Sequence, residues 1–522
     1  MGRDIIYGMK TTAPDFEKLL NTESKKVESL EKKIVSLEAQ LDWFKRQLFG
    51  RKSEKMIEPN PQQGDLFKDL LKQSKAAPDD AKAINVPAHT RKKKRLEDAP
   101  DDSGLRFDSS VPVKEIHIAN PALDADPDKY DIISEKTTYR LAQRPSSYVV
   151  LKYIRQVIKE KKGSQIITPQ APSNVIEKSF ADVSLLAGLL VDKFDYHMPL
   201  YRQHRRMQQS GITLSRATLT NLVFRATLLL KPIHQAILTS ILKGDTVAMD
   251  ETPIRYGRKG KGKMNRGYYW PLYGENDEIY FHFSPSRGSK VVFDLLGEAF
   301  NGTLLTDGYR AYEKYVNKVK SATRAQCWSH GRRGFDKSLK GEPESAQHAL
   351  NIIAALYKIE DDIVEKNLKG DKKRDHRQKY SKPIVDQFFN WVDQQRLRTD
   401  LINSDPLSKA LLYAHDRERA MRVFLDNPEV PLDTNHLERG LRPIPMGKKA
   451  WLFAWTETGA EHVGIVQSLI CTCKLHDVDP YTYLVDVLQR VSLHPASKVE
   501  ELTPRNWKVK FGGNPIKSDL EQ

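Results

Sequence analysis

The sequence predicts a mixed α/β protein of several domains, and three observations predict it. Residues Gly244 to Lys340 read as three successive strands followed by alternating helices and strands; Phe335 to Val430 is helical and strongly charged with no strand pattern; Phe16 to Leu48 repeats apolar residues every seven positions. At 522 residues the chain is several times the usual domain size, so two to four domains are expected. Its 84 Lys plus Arg against 68 Asp plus Glu leave a formal charge of +16, which favours a polyanionic partner, nucleic acid ahead of a membrane surface. Three cysteines are too few for a disulfide framework. With no apolar signal core at the N-terminus and no run of about 18 apolar residues, the expected location is the cytoplasm.

The N-terminal unit, residues 1–50, is expected to be a coiled-coil multimerisation helix. Leu20, Val27, Ile34, Leu41 and Leu48 recur at a positions, with Phe16, Leu30, Leu37 and Phe44 at d and Glu23 breaking the seam once. This pattern implies a homo-oligomer, at least a dimer; the alternative is a long helix packed on its own chain. Residues 51–102 turn polar and charged, with PNPQQGD, KAAPDDAK and the basic run Arg91–Arg95, as in a flexible linker. Residues 103–175 form a small β module, because YRLAQRPSSYVVLKYIRQVIK alternates apolar and β-branched positions. Residues 176–240 are helical: Val183–Phe194, Pro199–Gln208, the turn QSGI, then a helix opening LSRATLTNLV. Helix, short glycine-containing turn, helix is the outline of a helix-turn-helix, with Arg216 as a DNA contact; ordinary helical packing gives the same outline.

Residues 241–460 carry the chemistry. DTVAMD is a short apolar strand ending in an acid, and GYYWPLYG and EIYFHF are two more around the turn GEND. SKVVFDLLGEAF is a helix, GTLLTDGYRAY a buried strand ending at Asp307, and RAQCW another strand before a helix near His330. Strand, strand, strand, helix, strand, helix, strand, helix is the order of a ribonuclease H-like core, in which strands one and four are neighbours. Asp250 and Asp307 then leave adjacent strand ends. Carboxylates so placed suit two magnesium or manganese ions about 4 Å apart, the arrangement that activates one oxygen and stabilises another during in-line phosphoryl displacement.

A third acid is expected from a helix beyond the charged insertion at about residues 335–430. In DTNHLERGLRPIPMGKKAWLF, Asn435, Glu438, Arg439 and Arg442 share one helical face. Pro443 and Pro445 are expected to stop that helix, leaving Lys448 and Lys449 as backbone contacts. Taken singly, an Asp at a strand end reads as a turn or helix cap, and Glu438 beside Arg439 and Arg442 reads as a surface ion pair. Their joint occurrence in this order, in a basic chain, points to a metal site. Trp328 and His330, beside Arg332 and Arg333, line the DNA path on one reading and the core on the other. Trp451 stacks on an unpaired base near a cleaved end or packs in the core.

AMDETPI, LLTDGYRAY, CWSHGRRGF, NHLERGLRPIPMGKKAWLF and CKLHDVDPYTYLVDVL resemble the insertion-sequence-66 family of bacterial transposases. LFGRKSEK and KFDYHMPLYRQHRRMQQSGITLSRATL resemble that family's N-terminal half, so the likeness covers nearly the whole chain. The resemblance implies a DDE transposase with its triad on Asp250, Asp307 and Glu438. It further implies a helical insertion before Glu438, a zipper-like multimerisation segment, and double-stranded DNA as partner, both the element's terminal inverted repeats and a target. Accessory proteins of the same element are implied too, with action at the nucleoid. The sequence departs from the family in one respect: its usual cysteine-rich zinc module has no cysteines here before Cys327, and His89 and His117 do not replace them, so zinc is not expected. Cys471 and Cys473 read as small buried hydrophobes, and residues 461–522 as a helical C-terminal region. Two other functions fit the same residues: a nuclease without strand transfer, and a domesticated DNA-binding protein.

Overall fold

The computed structural model describes residues 105–144, 147–260 and 263–521. The expected coiled coil and linker, with Arg91–Arg95, lie outside the described residues. Those described fall into two compact units, of which the smaller comprises Gly334–Asn351 and Asp393–Leu412 and the larger all the others. In the smaller unit Arg398 joins the two segments, donating to Glu342 and Ser345, each at 3.1 Å.

In the larger unit, β1 (Val113–Ile118), β2 (Tyr130–Arg144) and β3 (Ser147–Glu160) form a sheet in the order β1-β3-β2. The alternating segment read as short strands falls on two long ones, β2 and β3, which pair as an antiparallel hairpin, and Ala142, Leu151 and Tyr153 make its core together with Leu520. Three helices follow: α1 (Val183–Phe194), α2 (Leu200–Gln209) and α3 (Arg216–Ile241). α1 has its sequence-based limits, α2 is shifted by one residue, and α3 starts two residues after the expected Leu214. Ser215 caps α3 by accepting from the Thr218 N–H. Leu219, Val223, Ala226, Leu230, Ile233 and Ile237 then bury one continuous stripe, so beyond its first turn α3 is a packing helix.

The central sheet contains β4 (Thr246–Met249), β5 (Thr252–Gly260), β6 (Lys263–Gly274) and β7 (Ile279–Ser284). After α4 (Ser289–Leu296) come β8 (Thr303–Thr306), α5 (Arg310–Lys318) and β9 (Thr323–Gln326). The order is β7-β6-β4-β8-β9, with β5 also on β6. β6 is antiparallel to β4, β5 and β7, and β8 is parallel to both β4 and β9. The first and fourth strands read from the sequence, β4 and β8, are therefore neighbours.

β5 was not among the expected strands. It continues β4 in one register on β6, with Met249 opposite Leu272 and Thr252 opposite Tyr269. The ladder breaks at Asp250–Glu251, where Asp250 donates to the Pro271 carbonyl at 3.4 Å and the proline has no N–H to return.

The helices beyond β9 are α6 (Trp328–Ser338), α7 (Pro343–Glu365), α8 (Lys382–Arg396), α9 (Pro406–His415) and α10 (Glu418–Asp426). As expected for Phe335 to Val430, no strand occurs there among the described residues. Trp328 is core: it is fully buried, packs on Phe388, Phe389 and Phe424, and donates its indole N–H to the Met421 carbonyl at 2.9 Å. α11 (Asn435–Leu441) is followed directly by α12 (Pro443–Trp451). α11 stops ahead of Pro443 as expected, and Pro443 then opens a second helix that the sequence reading did not foresee, because a proline in the first turn of a helix needs no N–H and has its φ already set. Lys448 and Lys449 accordingly sit in the last turn of α12.

α13 (Glu457–Leu475), α14 (Pro480–Arg490) and α15 (Pro504–Lys510) complete the chain. Cys471 and Cys473 are buried in α13. That helix covers the outer edge of β7: Ser468 accepts from the Phe281 N–H at 2.8 Å and Thr472 from the Ile279 N–H at 3.2 Å. Gly464 permits the approach, since a Cβ there would meet the Phe281 carbonyl at 2.7 Å. Among the described residues no helix is long and apolar enough to cross a membrane.

Candidate active site

β4 and β8 are short apolar strands with every residue buried, as strands covered on both faces must be. Because they are parallel neighbours, the residues that follow them emerge at the same sheet end. These are Asp250 and Asp307. Each uses one carboxylate oxygen locally, Asp250 Oδ1 accepting from Glu251 N at 2.7 Å and Asp307 Oδ1 from Tyr309 N at 2.8 Å. The turn-capping reading of these acids thus holds for one oxygen of each.

Glu438 reaches the site from the first turn of α11, and Cys327, just past β9, positions that helix. The Cys327 N–H donates to the Thr306 carbonyl at 3.1 Å, and its sulfur accepts from both the N–H and hydroxyl of Thr434 at 3.3 Å. The Thr434 carbonyl in turn accepts from Glu438 N at 2.9 Å. A continuous chain of hydrogen bonds therefore runs from the strand before Asp307 to the helix that carries Glu438.

The three acids act on one another. Burial first, and then the charges of Glu251, Asp307 and Glu438, push the Asp250 carboxyl up to about 7, against the lowering effect of the Glu251 N–H. Arg333 of α6 holds Glu438, its guanidinium donating to both carboxylate oxygens at 2.6 and 2.7 Å. His330 lies 3.9 Å from Glu438, and burial together with the Arg333 charge lowers its pKa, so the ring is neutral near pH 7.

Sequence reasoning missed Glu251. Its carboxyl is nearly inaccessible, pairs with Arg287 Nε at 3.0 Å, and accepts from the Tyr312 hydroxyl at 2.8 Å. Arg287 lies 4.3 Å over the Tyr309 ring, which packs edge-on against Tyr312. Glu251 is next to Asp250 in sequence, but its partners come from beyond β7 and from α5. No local pattern marks them.

Among the described residues no three His, Cys, Asp or Glu side chains form a ready metal cage. Glu438 is turned onto Arg333. The donor chemistry still fits a hard divalent cation: the donors are carboxylate oxygens, and after burial the charges of Glu251, Asp307 and Glu438 add to the rise of the Asp250 pKa. Asp250, Asp307 and Glu438 are the residues that would hold such an ion.

The expected DNA contacts are less concentrated. Arg333 lies at the acids, with Arg332 exposed beside it on α6. Arg439 is exposed, but its charge acts on Tyr273 and His436, and the cation that holds Glu438 is Arg333. Arg442 and Lys449 are exposed, as is Arg216 at the start of α3. Lys448 donates to the Pro253 carbonyl at 2.8 Å, tying α12 to β5. Trp451 is half-buried, with its indole nitrogen enclosed. Trp455, which the sequence reading passed over, is 66% exposed.

The family model described as "Transposase IS66 family" matches residues 178–462, and that described as "IS66 C-terminal element" matches 468–505. A third, "Transposase C of IS166 homeodomain", matches residues 36–102, outside the described structure. Two proteins of Sinorhizobium fredii are similar along nearly their whole length. Uncharacterized protein y4hP is 28% identical over 91% of this chain and 89% of its own, and uncharacterized protein y4jD is 28% identical over 92% and 96%. A third, uncharacterized protein y4qI, is 28% identical over 72% of each chain.

Proposed function

The chain belongs to the IS66 family of transposases, and from that premise we propose that it cuts the ends of a bacterial insertion sequence and joins them to target DNA, using Asp250, Asp307 and Glu438. The observation that carries this reading is the convergence of the three acids, two from adjacent parallel strand ends and one from a helix tied to them through Cys327. The strand order β7-β6-β4-β8-β9, antiparallel on one side of β4 and parallel on the other, supports a ribonuclease H-like core. On this reading residues 241–460 are the catalytic domain, interrupted by the helical insertion at about 335–430. Residues 176–240 are a helical DNA-binding domain, 103–175 a β module, 51–102 a linker, 1–50 a multimerising coiled coil and 461–522 a C-terminal helical region.

Bound magnesium or manganese, in one or two ions, supplies Lewis acidity to a phosphate oxygen and acidifies water. Asp250, Asp307 and Glu438 orient that charge at the scissile phosphodiester. The neutral His330 and the Arg333 guanidinium border the same space, and Arg333 offers a phosphate oxygen positive charge. In the first reaction a water oxygen bonds to phosphorus as the bond to the 3′ oxygen breaks, leaving a 3′-hydroxyl and a 5′-phosphate. In the second that hydroxyl bonds to a target phosphorus and displaces another 3′ oxygen. Neither requires a covalent protein intermediate.

The test uses purified protein with labelled DNA carrying the inverted repeats that flank the gene. Asp250→Asn, Asp307→Asn and Glu438→Gln should each abolish cleaved and joined products in magnesium or manganese, while gel-shift binding of the ends persists. Substantial joining by any of the three would remove that residue from the triad. Cleavage without joined products in the unsubstituted protein would favour a nuclease.

A further inference from the structure

The hairpin that continues from Asp250 has an unusual charge pattern. From Thr252 to Gly274 it contains no Asp or Glu, and Arg255, Arg258, Lys259, Lys263 and Arg266 are all exposed. Arg255 stands directly opposite Arg266 in the β5–β6 pair, and like charges so placed destabilise a hairpin. The Arg266 charge also reaches Lys448, whose pKa is lowered by burial and then by that neighbour. This crowding of cations is costly to the isolated chain and becomes favourable against a polyanion.

An aromatic group lies along the same hairpin. After α12 the chain turns at Leu452, at φ +63°, and runs beside β5: Ala454 donates to the Arg255 carbonyl and accepts from the Gly257 N–H, both at 3.0 Å. The next residue is Trp455. Its ring is 66% exposed, lies 5.7 Å from the Arg258 guanidinium and packs edge-on against Phe453 with centroids 4.8 Å apart. Exposed Leu452 and Met446 flank the turn, and the charge of Glu457 reaches Tyr256.

We infer that Trp455 is a stacking platform for an unpaired DNA base, with the β5–β6 hairpin cations holding the phosphates on either side. Bases within a duplex are stacked on one another, whereas a frayed or single-stranded base offers a free face to an indole. The Arg258 guanidinium beside the ring and the hairpin arginines complement the backbone of such a strand. Tyr256, the bridge partner of Ala454, is six residues beyond Asp250, a path of at most about 20 Å of extended strand. This inference rests on the proposed DNA-end reaction but names a separate site with its own readout.

The test is fluorescence anisotropy with the full chain in EDTA, so that no cleavage occurs. The probes are a fully paired element end, the same end with a short single-stranded tail, and a DNA and an RNA single strand of one sequence. Trp455→Ala should weaken binding of the tailed end roughly tenfold and leave the paired end within about twofold, whereas Trp455→Phe should retain most of the discrimination. Reversing Arg258 and Lys259 to glutamate should weaken both probes and flatten the salt dependence by about one to two counterions. Equal binding of the tailed end by Trp455→Ala and the unsubstituted protein overturns the platform, as does an equal loss on both probes. Tighter binding of RNA than of DNA overturns the assignment to DNA. Asp250→Asn should discriminate tails normally, so failure of the acid assignment leaves this result intact, and failure of the platform leaves Asp250-dependent cleavage intact.

Discussion

Cys327 shows how one side chain outside the acid cluster sets its geometry. Its thiol is buried, accepts two hydrogen bonds from Thr434, and so fixes the entry to the helix of Glu438. Cys327→Ala leaves the Thr434 N–H buried without its acceptor, a loss expected to cost about 1–3 kcal/mol in urea unfolding and to reduce DNA joining as Glu438 shifts. Cys327→Ser keeps an acceptor and should recover most of both. If the alanine variant unfolds and joins DNA like the parent, the thiol is not a strut. The sequence made Asp250 and Asp307 legible because each ends a short apolar run, a local pattern. It did not disclose Cys327, Glu251 or Arg333 in their roles, because their partners Thr434, Arg287 and Glu438 lie 107, 36 and 105 residues away.

At the scale of elements, a buried cation ties together the helical segments that lie beyond β9. The chain takes a π-helical turn over Arg377–Ser381, which directs the fully buried Arg377 toward the end of α10. There it donates to the carbonyls of Phe424 at 2.8 Å, Asn427 at 3.2 Å and Val430 at 3.0 Å, and pairs with Glu360 at 2.7 and 2.8 Å. The Phe424 carbonyl is one that the end of α10 leaves open, and the other two belong to the chain just beyond it. Since α10 packs on β9, the strand leading to Cys327, the pair also stiffens the site's support. Arg377→Ala should cost about 3–5 kcal/mol by urea unfolding, and adding Glu360→Gln should restore part of it by removing the stranded charge. A loss below 1 kcal/mol would show the carbonyls satisfied by water. Other elements differ in legibility for physical reasons. β4 and β8 were readable because burial on both faces keeps charged residues out of them, whereas β5, with its glycines and cations, pairs β6 by register alone. The stop before Pro443 was legible but the helix it opens was not, because the same missing N–H that ends one helix suits the start of the next.

For the whole molecule, the exposed edge of the central sheet is the feature that folding must cover, and two helices distant in sequence do so. α13 supplies Ser468 and Thr472 to β7, while α3 supplies His234, whose Nε2 donates to the Phe281 carbonyl at 3.3 Å and whose ring stacks on Tyr280. His462 of α13 packs on Phe224 of α3, so each helix contributes one histidine to the enclosed region. Burial lowers the His234 pKa to about 3, and burial with the Lys193 and Lys231 charges lowers that of His462 to about 4. Unfolding returns both to about 6.5. Above that pH both states are neutral and the stabilising contribution is complete. As pH falls below it the unfolded chain takes up protons that the fold refuses, and each buried ring withdraws about 1.4 kcal/mol per pH unit until its folded pKa is reached. Asp182 and Asp250, whose pKa values burial raises, oppose this, because the folded chain protonates them first. The informative quantity is therefore the difference in slope between parent and variant. Urea unfolding at pH 7 and pH 5 should show His234→Phe losing about 2 kcal/mol less than the parent over that interval, whatever its stability at pH 7. Equal losses in the two proteins would mean that His234 is not held neutral, and that the seal between α3 and β7 admits water.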